Sequence, residues 1–288
     1  MVKRARFGPA GNSEEFFASG RKSTLEAPEW LAGFGLNAYE YQGGHGINVR
    51  EETARDLGSN ADKHGIALSV HAPYYISLAS DDPLKRDNSL RYILQSAQAV
   101  SWMGGERIIV HPGGLGGLSR SDAAQLAGET LKRAQELLDD EGLSQVHICP
   151  ETMGKINQLG DLDEVLGLCE LDERFIPCVD FGHLNSRTGG GMSTREEFTS
   201  VLDAIAKRLG VRRASEMHIH FSKIEYTDAG EKKHLTFEDS RFGPEPDSLM
   251  ELIAKRGWTP TVICESRGTQ DADARILKLL YEGYKILY

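Results

Sequence analysis

Eight side chains that can bind a metal or move a proton stand where short apolar runs of this sequence stop. They are His71 in SVHAPYY, His111 in IIVHPGG, Glu151 in HICPETMG, Asp180 and His183 in CVDFGHLN, His218 and His220 in MHIHFS, and Glu265 in VICESRG. A single His at such a place is more often a hydrogen-bonded structural residue. A lone Asp or Glu there often caps the next helix. The joint pattern asks for more. Carboxylates are almost never fully buried without a partner, and unpaired ones would raise their own pKa or destabilise the fold. Divalent ions resolve that conflict. Imidazole mixed with carboxylate, without thiolate, suits zinc, manganese or iron. Several carboxylates together also let one of them bridge two ions about 3.5–4 Å apart, the arrangement of hydrolytic phosphoryl chemistry.

Residues 71 and 265 are 194 positions apart, so the fold has to gather these groups. Eight short β-branched or apolar runs read as strands: Val2–Phe7, Asn37–Tyr41, Ala67–His71, Arg107–His111, Val146–Glu151, Phe175–Asp180, Glu216–Phe221 and Thr261–Glu265. Runs such as RIIVH and TVICE are almost wholly apolar until their last residue, as parallel strands covered on both faces are. Helical spacing marks Glu51–His64, Pro83–Met103, Ser121–Leu138, Ser193–Leu209, Glu245–Arg256 and Ala272–Leu287. A first helix falls near Ser13–Ser19 or Pro28–Phe34. Strands alternating with helices predict an all-parallel sheet. Dividing 288 residues by eight gives 36 per unit, which fits a single-domain (β/α)8 barrel over residues 1–288. An open doubly wound sheet is the other arrangement, and no GxGxxG turn follows the first run to support it. In a barrel the C-terminal strand ends meet at one mouth, where active sites lie.

The rest of the composition narrows the classes. Thirty-three Lys and Arg against 43 Asp and Glu leave a net charge of −10, which argues against a general nucleic-acid coat. No apolar run reaches the roughly 18–20 residues that span a bilayer. The N-terminal MVKRARFGPAGNSEEFF has no apolar stretch, so we expect a cytoplasmic protein with no membrane role. Four Cys with no CxxC make neither a disulfide framework nor a thiolate zinc knuckle. Cys149, Cys178 and Cys264 read as small buried apolar groups. Lys155, Arg187, Lys223, Lys232, Lys233 and Arg267 follow strand ends, where they could meet phosphates.

These strand-end segments resemble the endonuclease IV family of apurinic/apyrimidinic endonucleases, within the wider xylose-isomerase-like TIM barrels. The resemblance runs from about His71 to Glu265. HAPYYISL, IIVHPGG, CPETMG, CVDFGH, MHIHFSK and CES are similar, in order and spacing, to that family's metal-binding segments. The resemblance implies two to three ions, usually zinc. His71 and His111 would hold one, with Glu151 as bridge. Glu151, Asp180, His218 and Glu265 would hold the second, and His183 and His234 the third. The family's D-x-H pattern at the third site is absent, because Lys232 stands where its Asp would be. Glu231 is the expected substitute, with His220 or Asp228 as other stand-ins. The N-terminal segment and the turn after His234 also depart from the family pattern, so the chain reads as a divergent member. The implied activity is hydrolysis of duplex DNA 5′ to abasic sites in base excision repair. Glu151 would be the catalytic carboxylate, and Tyr74 and Lys223 would contact DNA. No obligate protein partner is implied, and we expect a monomer.

Two rivals follow from the same residues. A one-ion sugar isomerase or epimerase of the same superfamily needs Glu151, Asp180, His218 and Glu265, and none of the additional His residues. A non-catalytic metal-binding barrel is the third reading, and an open His-rich mouth speaks against it.

Overall fold

The computed structural model describes residues 4–288. Its first element is β1 (Arg6–Pro9), so the predicted run Val2–Phe7 begins outside the described residues and its strand sits further along. Then follow α1 (Glu14–Ala18), α2 (Ala27–Gly33), β2 (Ala38–Gln42), α3 (Glu51–His64), β3 (Ala67–His71), α4 (Pro83–Trp102), β4 (Arg107–Val110), α5 (Arg120–Asp140), β5 (His147–Pro150) and α6 (Leu162–Cys169). The second half runs β6 (Cys178–Asp180), α7 (Phe181–Arg187), α8 (Arg195–Ser215), β7 (His218–Phe221), β8 (Lys223–Thr227), β9 (Gly230–Leu235), α9 (Asp247–Lys255), β10 (Thr261–Cys264) and α10 (Gln270–Leu287).

Eight parallel strands close into the expected barrel. One set runs β1–β10–β7–β6 and the other β2–β3–β4–β5. Parallel bridges between Ala10 and Glu40, and between Glu151 and Cys178, join the two sets. No edge is then left open on the barrel wall. The helices turn their apolar stripes inward: Ala54, Leu57 and Ala61 of α3, and Ala127, Leu131, Ala134 and Leu138 of α5, are buried.

Local chemistry sets the helix starts. Asp82 caps α4 ahead of Pro83 at its first turn. Asp161 and Glu164 form a capping box on α6, and Thr194 and Glu197 form one on α8. Ser119 caps α5, which therefore starts at Arg120, one residue before the predicted range Ser121–Leu138. Both candidate first helices exist, as α1 and α2. Four elements were not expected. They are the helices α6 and α7 and the strands β8 and β9, an antiparallel hairpin that follows the seventh barrel strand.

A cavity of about 900 Å³, lined in part by Arg6, Arg107, His147 and Arg212, opens at the N-terminal ends of the strands. The ionisable residues described next lie at the opposite ends, so this volume does not locate the chemistry. Among the described residues no helix is long and apolar enough to cross a membrane.

Candidate metal centre

Among the described residues four groups of ligating atoms converge; three of them gather at the C-terminal mouth, and the fourth, Cys178, His218 and His220, shares His220 with them. Within each group one atom per residue lies within 4.8 Å of the others. His71, His111 and Glu151 make the first. His71 ends β3 and is 2% exposed. Its Nδ1 lies 2.9 Å from the Ala72 carbonyl, which accepts the ring N–H and leaves Nε2 with its lone pair. That Nε2 is 3.4 Å from Glu151 Oε2, and His111 Nε2 is 3.0 Å from the same oxygen.

Glu151, Asp180, His220 and Glu265 make the second group. Asp180 does two jobs. Its Oδ1 accepts the His183 backbone N–H at 2.7 Å and so caps α7. Its Oδ2 has no hydrogen-bond partner. The bland reading and the functional one therefore use different oxygens of one carboxylate. His220 Nδ1 is 3.0 Å from Glu151 Oε1 and 3.5 Å from Glu265 Oε2.

The third group is His183, Glu231 and His234. The Thr152 carbonyl accepts the His183 Nδ1 proton at 2.8 Å, which turns Nε2 toward Glu231 Oε2, 3.4 Å away. Ser222 Oγ holds His234 Nδ1 at 2.8 Å, and His234 Nε2 is 3.7 Å from Glu231 Oε1. Orientation of a ligating imidazole through its other nitrogen is the usual outer-shell device of metal sites. The hairpin brings Glu231 here because Gly154 lets it come close; a Cβ on Gly154 would meet Glu231 Cβ at 2.6 Å. The E-x-x-H spacing thus places the Glu231 carboxylate beside His234.

A metal fits these residues by a direct test. His111 Nε2 and Glu151 Oε2 are buried and only 3.0 Å apart, yet neither has a hydrogen-bond partner. Asp180 Oδ2 is orphaned beside them. Buried orphans are costly, and ligand atoms that converge on one point without bonding each other are what a cation satisfies. The titration directions divide: Glu151 and His111 are held in their ligating forms, and Glu265 and His183 hold protons that an ion would displace. Burial would raise the Glu151 pKa, but His220 and His111 hold it well below the ordinary carboxylate range. Burial keeps the Glu265 pKa raised despite His220 and His234. Burial outweighs Glu151 at His111 and lowers its pKa, favouring the neutral, ligating form. At His183, burial is outweighed by Asp180 and Glu231, and the pKa rises to about 9.

Two expectations need correction. His218 does not share the pocket of Glu151, Asp180 and Glu265. It lies deeper, with Nε2 3.0 Å from Glu40 Oε2, and burial lowers its pKa to about 4. Its place is taken by His220, since residues two apart on a strand share a face at different heights. Lys223 does not face a ligand either. It is 3% exposed, and Nζ donates to Glu245 Oε1 at 2.6 Å and the Asp239 carbonyl at 2.7 Å.

The other basic residues divide. Arg187 spends its guanidinium on the Met153, Lys155 and Gln158 carbonyls. Lys232 and Lys233 pair with Glu225. Lys155 and Arg267 are exposed. Asp228 is exposed on the hairpin turn and joins none of the three groups. Tyr74 is 52% exposed, with its ring stacked on His111 at 5.3 Å and 27°. Gly44 permits this, because a Cβ there would lie 2.4 Å from the Tyr74 ring. Glu40 was not singled out by sequence, although it is a lone Glu inside an apolar strand and is wholly buried beneath the centre.

Comparison with known proteins identifies the family and the fold. The uncharacterized protein MJ0133 of Methanocaldococcus jannaschii is 32% identical over 242 residues, covering 84% of this chain and 86% of that one. A probable endonuclease 4 of Mycoplasma genitalium is 31% identical over 196 residues, covering 65% of this chain and 62% of that protein. Among solved structures, a D-tagatose 3-epimerase-like protein superposes with TM-score 0.70 at 18% identity, covering 98% and 99% of the two chains. Endonuclease IV from Thermus thermophilus superposes with TM-score 0.68 at 18% identity, covering 96% and 99%. At that identity the superpositions speak for the fold and not for the reaction. The family model for the xylose isomerase-like TIM barrel matches residues 28–281, and the chain belongs to that family.

Proposed function

We propose that the protein is a metal-dependent phosphodiesterase that cuts duplex DNA 5′ to abasic sites. The observation that carries this reading is the number of ligand groups. A one-ion sugar isomerase needs only Glu151, Asp180, His220 and Glu265. Two further groups, His71 with His111 and His183 with Glu231 and His234, stand beside that set. Glu151 belongs to two of the groups, which is the place of a bridging carboxylate. Zinc is the metal we propose, in two or three ions, with manganese or iron as other occupants. When bound, such ions supply Lewis acidity toward a phosphoryl oxygen and activate water.

The chain's own residues do the rest. Glu151 orients the attacking water. Water adds to phosphorus and the P–O3′ bond breaks, leaving a 3′-hydroxyl and a 5′-deoxyribose phosphate. Tyr74 offers its exposed ring to the displaced nucleotide or to the gap it leaves. Lys155 and Arg267 are free to meet phosphates at the rim. We place the protein in the cytoplasm, as a monomer with damaged DNA as its partner.

The second reading is a sugar epimerase, favoured by the completeness of the Glu151–Asp180–His220–Glu265 set. There Glu151 and Glu265 would pass protons beside a carbonyl. Incision of a duplex oligonucleotide bearing one abasic-site analogue, with chelator controls, tests the choice. Chelator-sensitive cleavage 5′ to the site supports the nuclease. No cleavage with zinc, manganese or iron supplied, together with epimerisation of a keto sugar, favours the second reading.

A further inference from the structure

Glu40 is a wholly buried carboxylate on a barrel strand that belongs to none of the ligand groups. Burying an unpaired carboxylate is expensive, so its partners show what it is for. Its two oxygens divide between two imidazoles. Oε2 lies 3.0 Å from His218 Nε2, and Oε1 lies 3.0 Å from His220 Nε2. Ser69 Oγ donates to Oε2 at 2.9 Å, and Gln42 Nε2 to Oε1 at 3.4 Å. His220 is thus held between Glu40, whose Oε1 is 3.0 Å from Nε2 without a hydrogen bond, and the Nδ1 side, where the carboxylate of Glu151 accepts at 3.0 Å and Glu265 lies 3.5 Å away.

A neutral imidazole has one N–H and one lone pair. His71 and His183 place Nδ1 against a backbone carbonyl and keep Nε2 for a ligand. His220 is the reverse case. A lone pair on Nε2 would face the Glu40 carboxylate, which is repulsive, and an Nδ1 proton would then block the group of Glu151, Asp180 and Glu265. We propose that Glu40 is a positioning residue. With an ion bound, it accepts the Nε2 proton of His220, fixes that tautomer and frees Nδ1 from Glu151 to be the ligand. His218 is its second anchor and not a ligand. The inference rests on the reading of the mouth as a metal centre and holds for either reaction.

The test uses the whole ¹⁵N-labelled protein with zinc as the probe. Long-range ¹H–¹⁵N spectra report the His220 tautomer, and chelator competition reports zinc affinity. In zinc-loaded wild type, His220 should carry its proton on Nε2. Glu40→Gln should weaken one zinc site by about 10–100-fold, mix the His220 tautomers, and leave the zinc held by His183, Glu231 and His234 in place. Glu40→Asp should fall between. Wild-type zinc affinity in folded Glu40→Gln, or zinc on His220 Nε2 in the wild type, overturns the proposal. The wild-type tautomer decides even where the Gln variant fails to fold. No zinc bound by the wild type overturns the metal-centre reading itself.

Discussion

Glu151→Gln is the perturbation whose size follows most directly from the structure. The carboxylate is wholly buried. Oε2 lies 3.0 Å from His111 Nε2 and 3.4 Å from His71 Nε2, and Oε1 lies 3.0 Å from His220 Nδ1. In the metal-free protein, burial would lower the His220 pKa, but Cys178, Glu265, Glu40 and Glu151 raise it well above the ordinary value. Near pH 6, Glu151 and His220 then form a buried ion pair. Two unit charges at that distance interact by about 5–6 kcal/mol at an effective dielectric of about 20. Measured losses on removing one partner of such a pair are about 3–5 kcal/mol. In a chain of this length each kcal/mol moves Tm by about 2 °C.

Metal-free Glu151→Gln should therefore melt about 6–10 °C below the wild type at pH 6, with its circular dichroism unchanged. The folded pKa of Glu151 lies below the unfolded one. Its contribution is thus present above about pH 4.3 and is lost as pH falls through the folded pKa. The gap in Tm should shrink toward pH 3. A neutral amide also cannot bridge, so dialysed protein should lose at least one ion per chain by elemental analysis, along with most activity. Calorimetry showing wild-type Tm, together with wild-type metal content, would refute the reasoning.

Three further outcomes follow. Glu231→Ala should lower metal content by one ion per chain and leave the Glu151-centred ions bound; a loss of all the metal would show that the groups are not separable. The His183 pKa of about 9 lies above its unfolded value, so that contribution to metal-free stability is full below about pH 6.5 and lost as pH rises through 9. Because the same proton competes with an ion, affinity at the third group should climb about tenfold per pH unit up to that value and then level; a flat chelator-competition profile contradicts this. Lys223→Met should cost about 1–3 kcal/mol through loss of its bonds to Glu245 and Asp239. It should leave the salt dependence of duplex binding unchanged, whereas a phosphate contact would reduce the slope by about one.

Much of this centre is legible in the sequence because parallel barrel strands carry a simple code. An apolar run that ends in an ionisable residue puts that residue at the mouth, and His71, His111, Glu151, Asp180 and Glu265 all obey it. Glu231 was legible through the resemblance, as the nearest acid to a missing one. The failures have physical causes. His218 and His220 both point inward, and their height relative to Asp180 and Glu265 is set by barrel stagger, which alternation does not encode. Lys223 also follows a strand end, but the unforeseen hairpin β8–β9 begins there and buries it. Glu40 carries no motif. Its neighbours Tyr39 and Tyr41 mark a strand, and only the closed barrel shows that His218 and His220 lie across from it. The helices α6 and α7 are eight and seven residues long, too short for periodicity to declare them.

The central claim is that this mouth holds several ions. Crystals grown with zinc and measured on both sides of the zinc absorption edge test it most directly. The account predicts separate anomalous peaks at His71–His111–Glu151, at Glu151–Asp180–His220–Glu265 and at His183–Glu231–His234. A single peak on the Glu151–Asp180–His220–Glu265 set, with the other two groups empty at saturating zinc, would contradict it and move the assignment to a one-ion sugar enzyme.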